Sequence, residues 1–150
     1  MTRRPRPRRP ATDALAAGLA GAVLSGMPST LVTLARREPL LDGVRAAGSL
    51  LVRDPRAGDA ALLAAAVPAH LALSFGWAAV LAQLVPRGAE LPGGVLGGLA
   101  IAALDLGVIA PLCAPRVRAL PQGRQWADHV AFGLAVGVVL RRRRTSTAAG

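Results

Sequence analysis

Long apolar runs, separated by short segments rich in Arg, Pro and Gly, dominate this sequence. A helix of about 20 apolar residues crosses the roughly 30 Å hydrocarbon core of a bilayer, and three of the runs reach that length. The last run, Val130–Leu140, is shorter, but a helix that begins near Pro121 is long enough. We therefore expect four transmembrane helices, at about residues 14–34, 60–85, 91–113 and 122–140.

The composition favours an all-α, integral membrane bundle over the alternative, an Ala-rich soluble helical protein. Hydrophobic residues make up 53% of the chain but aromatic residues only 3%. Small residues let helices approach closely in lipid, where no hydrophobic drive acts between them. GxxxG pairs occur in the third and fourth runs, at Gly93 and Gly97, Gly94 and Gly98, and Gly133 and Gly137. They predict close helix contacts, and a homo-oligomer through the Gly-rich faces is one use for them.

The segments around the spans have distinct compositions. Residues 1–12 are rich in Arg and Pro and are expected to form a disordered tail, followed by the transmembrane domain at 13–140. Residues 141–150 are expected to be a basic cytoplasmic tail. Between the first two spans, residues 40–52 place apolar side chains on one helical face, which predicts a short amphipathic helix. Pro28 predicts a kink in the first span.

The first run also has an alternative interpretation as a cleaved signal peptide, because basic residues precede it. That run is longer than a typical signal-peptide core, and no clean cleavage site follows it.

The charge distribution predicts the topology. The net charge is +10 and all 18 basic residues are Arg. Five Arg precede the first run and Arg141–Arg144 follow the last, so the positive-inside rule places both termini in the cytoplasm, with the chain in the plasma membrane. Five Arg in the 36–59 connection weaken the contrast between the two sides. The Arg tails are expected to contact anionic lipid. No nucleic acid partner is expected, because no aromatic residues interleave with the basic ones.

A few ionisable or polar residues interrupt the apolar runs. His70 and Ser74 lie in the second span, Asp105 lies in the third, and Asp128 and His129 begin the fourth. An ionised side chain at the centre of a membrane helix costs about 2.5–3.5 kcal/mol on insertion scales, so each needs a reason. Because neighbouring spans are antiparallel, His70 near the midplane and Asp105, Asp128 and His129 closer to one surface all point to the same half of the membrane, the non-cytoplasmic half in this topology.

Three interpretations of this cluster stay open. In the first, the contacts are structural: His70 pairs with Asp105, while Asp128 and His129 cap the fourth helix. In the second, the residues line a small polar pocket for a proton, an ion or a small ligand. In the third they bind a metal, although no HxxxH or HExxH spacing supports one, and no metal or cofactor is expected.

Candidate nucleophiles are few. Ser25 and Ser74 have no GxSxG context or oxyanion hole, so we expect no catalytic residues and no enzyme. The single cysteine, Cys113, excludes an intrachain disulfide and lies in an apolar run.

Several segments resemble small membrane proteins of actinobacteria that have no known activity. The similarity covers most of residues 14–140 and is carried by the segments at 17–30, 45–51, 67–77, 103–107 and 127–133. This resemblance implies a membrane location and a bacterial source, and it implies no chemistry.

The sequence thus predicts a multi-pass membrane protein of unknown role, for which a small polar pocket in the non-cytoplasmic half of the membrane is one interpretation of the polar cluster. One alternative is a subunit of an oligomeric transporter or channel for ions or small solutes. Another is a membrane anchor or scaffold that uses its Arg tails.

Overall fold

The computed structural model describes residues 10–146, and all regular structure in this range is helical. The helices are α1 (Pro10–Leu24), α2 (Met27–Ala35), α3 (Leu41–Gly48), α4 (Asp59–Leu84), α5 (Glu90–Leu104), α6 (Ala110–Cys113), α7 (Pro115–Arg118) and α8 (Gln122–Ser146). A π-helical turn, Asp105–Ile109, joins α5 to α6. The predicted all-α class is confirmed for the described residues.

Three helical segments are long and apolar enough to cross a membrane: Ala11–Ala35, Asp59–Leu84 and Glu90–Cys113. They correspond to the first three predicted spans and indicate a membrane protein. The fourth long helix, α8, has 25 residues but carries charges at both ends, which lowers its hydropathy. Its length is sufficient to cross the membrane, but it is not one of the three segments that are also apolar enough.

The ends of the helical domain differ from the predicted boundaries. The first helix begins at Pro10, so residues 10–12 are not part of a tail, and residues 1–9 lie outside the described part. At the other end, α8 continues to Ser146. The cluster Arg141–Arg144 therefore forms the last turns of a helix, and only residues 147–150 of the predicted tail lie outside the description.

The predicted amphipathic segment contains α3, which packs on α4. Gly48 lies directly against the backbone of Leu62, and Ala46 is also buried. The larger apolar side chains of this segment, Leu41 and Val44 among them, remain exposed. Small residues therefore make the contact with the bundle, while the leucine side chains lie outside it.

The four long helices pack in the order α4, α1, α8, α5. Helix α1 contacts both α4 and α8, and α5 lies along α8. The core between them includes Phe132, whose ring lies against Gly21, together with Leu81, Ile101 and Val136. Helices α4 and α5 are joined by a tight turn, yet they diverge beyond it. They contact each other next to the turn, where Leu81 lies against Gly97.

The closest helix contact is between α5 and α8. Gly94 and Gly98 of α5 face Gly133 and Gly137 of α8, and a Cβ atom added to any of the four would collide with backbone of the opposite helix. Both GxxxG pairs are therefore used inside one chain. The other two glycines of the α5 pattern lie against side chains of α4, at Leu81 and Val85.

Both ends of the described chain lie at the same end of the bundle, which we call the terminal end. There Arg143 Nε lies 2.6 Å from Asp13 Oδ1 and so joins α8 to α1. Arg144 donates to the carbonyl oxygens of Ala82 and Val85 at 2.8 and 2.9 Å, and it pairs with the buried Glu90 at 3.3 Å. The opposite end, covered by α3 and α7, is called the cavity end.

Candidate functional site

A cavity of about 880 Å³ occupies the cavity end of the bundle. All four long helices line it, and α3 and α7 contribute to its cover. The five residues of the predicted polar cluster all line this one cavity: His70, Ser74, Asp105, Asp128 and His129. Most of the remaining lining is apolar, so the polar groups form a small region within a hydrophobic space.

The first polar contact of the site arises from a break between α1 and α2. Pro28 has no N–H and ends regular pairing here, and the chain turns at Ser25 and Gly26. The first N–H groups of a new helix lack partners within that helix. The N–H of Ser29 instead donates to Asp128 Oδ1 at 2.9 Å, so a carboxylate of α8 caps α2.

His70 stabilises the other side of the same break. Its Nε2 lies 2.8 Å from the carbonyl oxygen of Ala22, in the last turn of α1. A carbonyl only accepts, so His70 Nε2 carries the proton and donates it. The remaining ring edge of His70 borders the cavity, where the side chain is exposed. The expected pairing of His70 with Asp105 does not occur in this arrangement.

A π-helical turn contains the third-span carboxylate. The N–H of Ala110 donates to the carbonyl of Asp105, which is the i to i+5 pattern of a π-helix. Pro111 follows directly, and its ring disfavours a regular carbonyl position four residues earlier, at Gly107. The wider turn displaces Asp105 from regular α-helical register, next to α8.

The partner of Asp105 is His129. The nitrogen Nε2 of His129 lies 3.5 Å from Asp105 Oδ2, and its Nδ1 lies 2.7 Å from the carbonyl oxygen of Gln125. Both side chains are about one-fifth exposed, so the pair borders the cavity without being open to bulk solvent. The contact is possible because α8 approaches α5 closely, with Gly98 lying against the backbone of His129.

No family model, curated protein or solved structure matches the chain. The resemblance to actinobacterial membrane proteins stays a prediction. Function must therefore be argued from the cavity itself.

Two ion-pair networks hold the cover of the cavity in place. Arg124 at the start of α8 pairs with Glu38 and donates to Thr33 Oγ1 at 3.2 Å. The Arg124 guanidinium hydrogen-bonded to Glu38 lowers the pKa of that carboxyl. On the other side, Arg45 of α3 pairs with Asp59 at 2.6 Å and with Asp42 at 3.1 Å. These pairs join the α2–α3 connection to α8 and to the start of α4.

One side of the cavity is formed by the two helices that diverge. Helices α4 and α5 contact each other near their connecting turn and are less closely packed beyond it. An apolar groove of about 300 Å³ runs along these two helices, and it shares Trp77 and Ile101 with the cavity. Leu104 on the groove and Val108 beyond it are exposed.

The remaining candidates are the two possible nucleophiles and a metal site, and the described residues show no arrangement of side chains that supports either. Ser25 and Ser74 are both largely buried. Within residues 10–146, no group of three or more His, Cys, Asp or Glu side chains is arranged to hold a metal ion.

The sequence did not reveal Arg124 and Glu38 as neighbours of the cluster, nor the π-helical turn. The sequence nevertheless contains weak signals of the two irregular turns. Pro111 with Gly107 marks an irregular turn, and Gly26 with Pro28 marks the helix break. No local pattern indicated that Asp128 would cap the helix after that break, because the two residues are 99 positions apart.

Proposed function

We propose that this protein is a four-span membrane protein with both termini in the cytoplasm, and that its cavity binds a small amphipathic molecule taken up from the lipid. The observation that carries the proposal is the 880 Å³ cavity, which combines an apolar wall with one polar region and adjoins an apolar groove between α4 and α5. Ligand pockets of about 300–1,000 Å³ with a few convergent polar groups are typical of small-molecule sites.

The proposed fourth span is α8. Its glycine face lies in direct backbone contact with α5, which is itself long and apolar enough to cross the membrane. A helix that packs along its neighbour in this way shares its depth in the bilayer. The four Arg at its end then lie at the same surface as the start of α1, as the Arg143–Asp13 pair requires.

The shape of the site supports an amphipathic ligand. The polar groups of Asp105, Asp128 and His129 lie at the inner side of the cavity, against α8. The groove between α4 and α5 is almost wholly apolar and meets the cavity at Trp77 and Ile101. A molecule with a polar head and an apolar part fits this shape, because the head can contact the polar groups in the cavity while the apolar part lies in the groove.

The structure favours a binding site over an open channel. The terminal half of the bundle is filled by the buried side chains of Leu81, Val85, Val136 and Leu140. The cavity therefore opens toward the lipid and the cavity end, and no continuous path to the terminal end exists among the described residues.

Fluorescence of Trp77 tests the proposal. The chain has two tryptophans, and only Trp77 lines the cavity, so Trp126→Phe leaves a single reporter at the site. We expect tetraphenylphosphonium, a compact lipophilic cation, to change Trp77 emission saturably in lipid nanodiscs. Tetraphenylborate, which has the same shape and the opposite charge, is measured beside it.

A matched pair of variants controls for partition of the probe into lipid. Val67→Phe adds volume to the cavity wall, whereas Leu15→Phe adds the same ring to an exposed position outside both the cavity and the groove. The saturable signal should weaken at least tenfold in the first variant and persist in the second. If neither probe gives a saturable signal, or if both variants behave alike, the proposed function is wrong.

A further inference from the structure

The charged groups around the cavity are not balanced. Four carboxylates line it, at Glu38, Asp42, Asp105 and Asp128, against one guanidinium, that of Arg124. Glu38 forms an ion pair with Arg124, and Asp42 forms one with Arg45. Among residues 10–146, no arginine pairs with Asp105 or Asp128.

Asp128 already has a partner for one oxygen. Its Oδ1 accepts the N–H of Ser29, and the carboxylate lies at the first turn of α2, where the helix dipole favours a negative charge. Asp128 is therefore held as a cap. Asp105, in contrast, has His129 as its partner.

The geometry of His129 requires a proton between these two side chains. The Nδ1 atom faces a carbonyl oxygen, which only accepts, so Nδ1 carries a hydrogen. If Nε2 were unprotonated, its lone pair would face the carboxylate Oδ2 at 3.5 Å, and two acceptors would repel each other. The pair is favourable when one proton lies between Nε2 and Oδ2, and it then carries no net charge.

We propose that the ligand of the cavity is an amphipathic cation, and that its binding displaces this shared proton. The inference rests on the proposed function, since it concerns the same cavity. The bound form is Asp105 carboxylate, the ligand cation and neutral His129, and the proton that leaves goes to solvent. One positive charge replaces another, so the net charge of the site is unchanged and no charge is left unpaired in the membrane.

Other titratable and charged groups line the same cavity. His70 faces the cavity from α4, Asp128 lies beside His129 on α8, and the pair of Glu38 and Arg124 lies about one turn closer to the start of α8. Asp42 borders the cavity from α3 and is joined to Arg45. In this arrangement Asp105 and His129 are the neighbours that share a proton directly.

The experiment measures the affinity for tetraphenylphosphonium as a function of pH, with Trp77 as the reporter. Linkage of one proton predicts that affinity rises about tenfold for each unit of pH while the pair holds its proton. A pH dye in weakly buffered solution should record about one proton released for each cation bound by the unmodified chain. Tetraphenylborate should bind at least tenfold more weakly.

Three variants separate the pair from its neighbours. His129→Gln removes one of the two groups that share the proton, so the slope of affinity with pH near neutrality should weaken. Asp105→Asn should release no proton and bind the cation at least tenfold more weakly. Asp128→Asn retains an oxygen for the Ser29 N–H and should keep the slope of the unmodified chain.

The outcomes distinguish the two proposals. If the cation binds saturably but releases no proton and shows no pH dependence, the coupling is wrong and the binding site stands. The same holds if Asp128→Asn, and not His129→Gln, weakens the slope. If tetraphenylborate binds and the cation does not, the ligand class is wrong. If neither probe binds, the proposed function fails with it.

Discussion

Single polar side chains satisfy backbone groups that helix breaks leave unpaired. His70 donates a hydrogen bond to the Ala22 carbonyl before the break in the first span. Asp128 accepts a hydrogen bond from the Ser29 N–H after it. At the terminal end, Arg144 donates hydrogen bonds to two carbonyls around the end of α4, those of Ala82 and Val85. In hydrocarbon an unpaired backbone group costs several kcal/mol, so these long-range contacts hold positions that local pairing cannot.

The contact of Arg144 with Glu90 gives a stability prediction. Glu90 is 5% exposed, and its other oxygen accepts the N–H of Gly88, a residue whose φ of 85° suits glycine. Arg144→Met should destabilise the protein by about 3 kcal/mol, because it leaves a buried carboxylate unpaired. Chemical unfolding in mild detergent measures the change.

Two controls accompany this prediction. Arg142→Met removes the same charge from an exposed position two residues away and should change stability by less than about 0.5 kcal/mol. The double variant of Arg144→Met with Glu90→Gln should recover part of the loss. If the two single Arg variants were equally stable, Arg144 would have no structural role.

At the scale of helices, the glycine contact between α5 and α8 determines the shape of the cavity. It brings the two backbones together along one side, and as a result His129 reaches Asp105. The divergence of α4 from α5 opens the opposite side. Close packing and cavity are therefore two consequences of where the small residues lie.

Gly94→Ala tests this contact. A Cβ at position 94 would collide with the carbonyl oxygen of Gly133, so the helices must separate, at a cost of about 1–3 kcal/mol. Gly76→Ala in α4 is the matched control, because nothing lies within 4 Å of its added Cβ. The control should be neutral or up to about 1 kcal/mol more stable. Equal melting temperatures for the two variants would contradict the packing described.

The sequence was sufficient to predict long helices because their signal is local. Runs of apolar residues revealed three spans, and alternation of antiparallel helices predicted that His70, Asp105, Asp128 and His129 lie in one half of the bundle, where they line one cavity. The pairing inside the cluster was not predictable. It depends on the π-helical turn at Asp105 and on the glycine contact that moves His129, and both are results of packing between distant segments.

In the last helix, too, contacts between distant residues were not predictable from the sequence. Arg141–Arg144 have the composition of a disordered tail, but two of them are fixed by contacts with Asp13 and Glu90. Composition alone does not reveal a partner more than fifty positions away.

At the scale of the whole molecule, the structure has two unlike ends. The terminal end carries both ends of the described chain and a filled apolar core, while the cavity end carries the polar groups and a cover of short helices. The Arg-rich sequences at both chain ends favour the cytoplasmic side for the terminal end. The proposed site then lies in the half of the membrane away from the cytoplasm and exchanges with that leaflet.

Cysteine accessibility in intact cells tests this four-span topology most directly. Cys113→Ala removes the one native cysteine, and single cysteines are then placed at exposed positions by Ala11→Cys, Thr145→Cys or Pro55→Cys. Positions 11 and 145 lie at the terminal end, and position 55 lies in the connection at the cavity end. We expect a membrane-impermeant maleimide to label only position 55 until the cells are permeabilised. Labelling of positions 11 and 145 from opposite sides of the membrane would contradict the account.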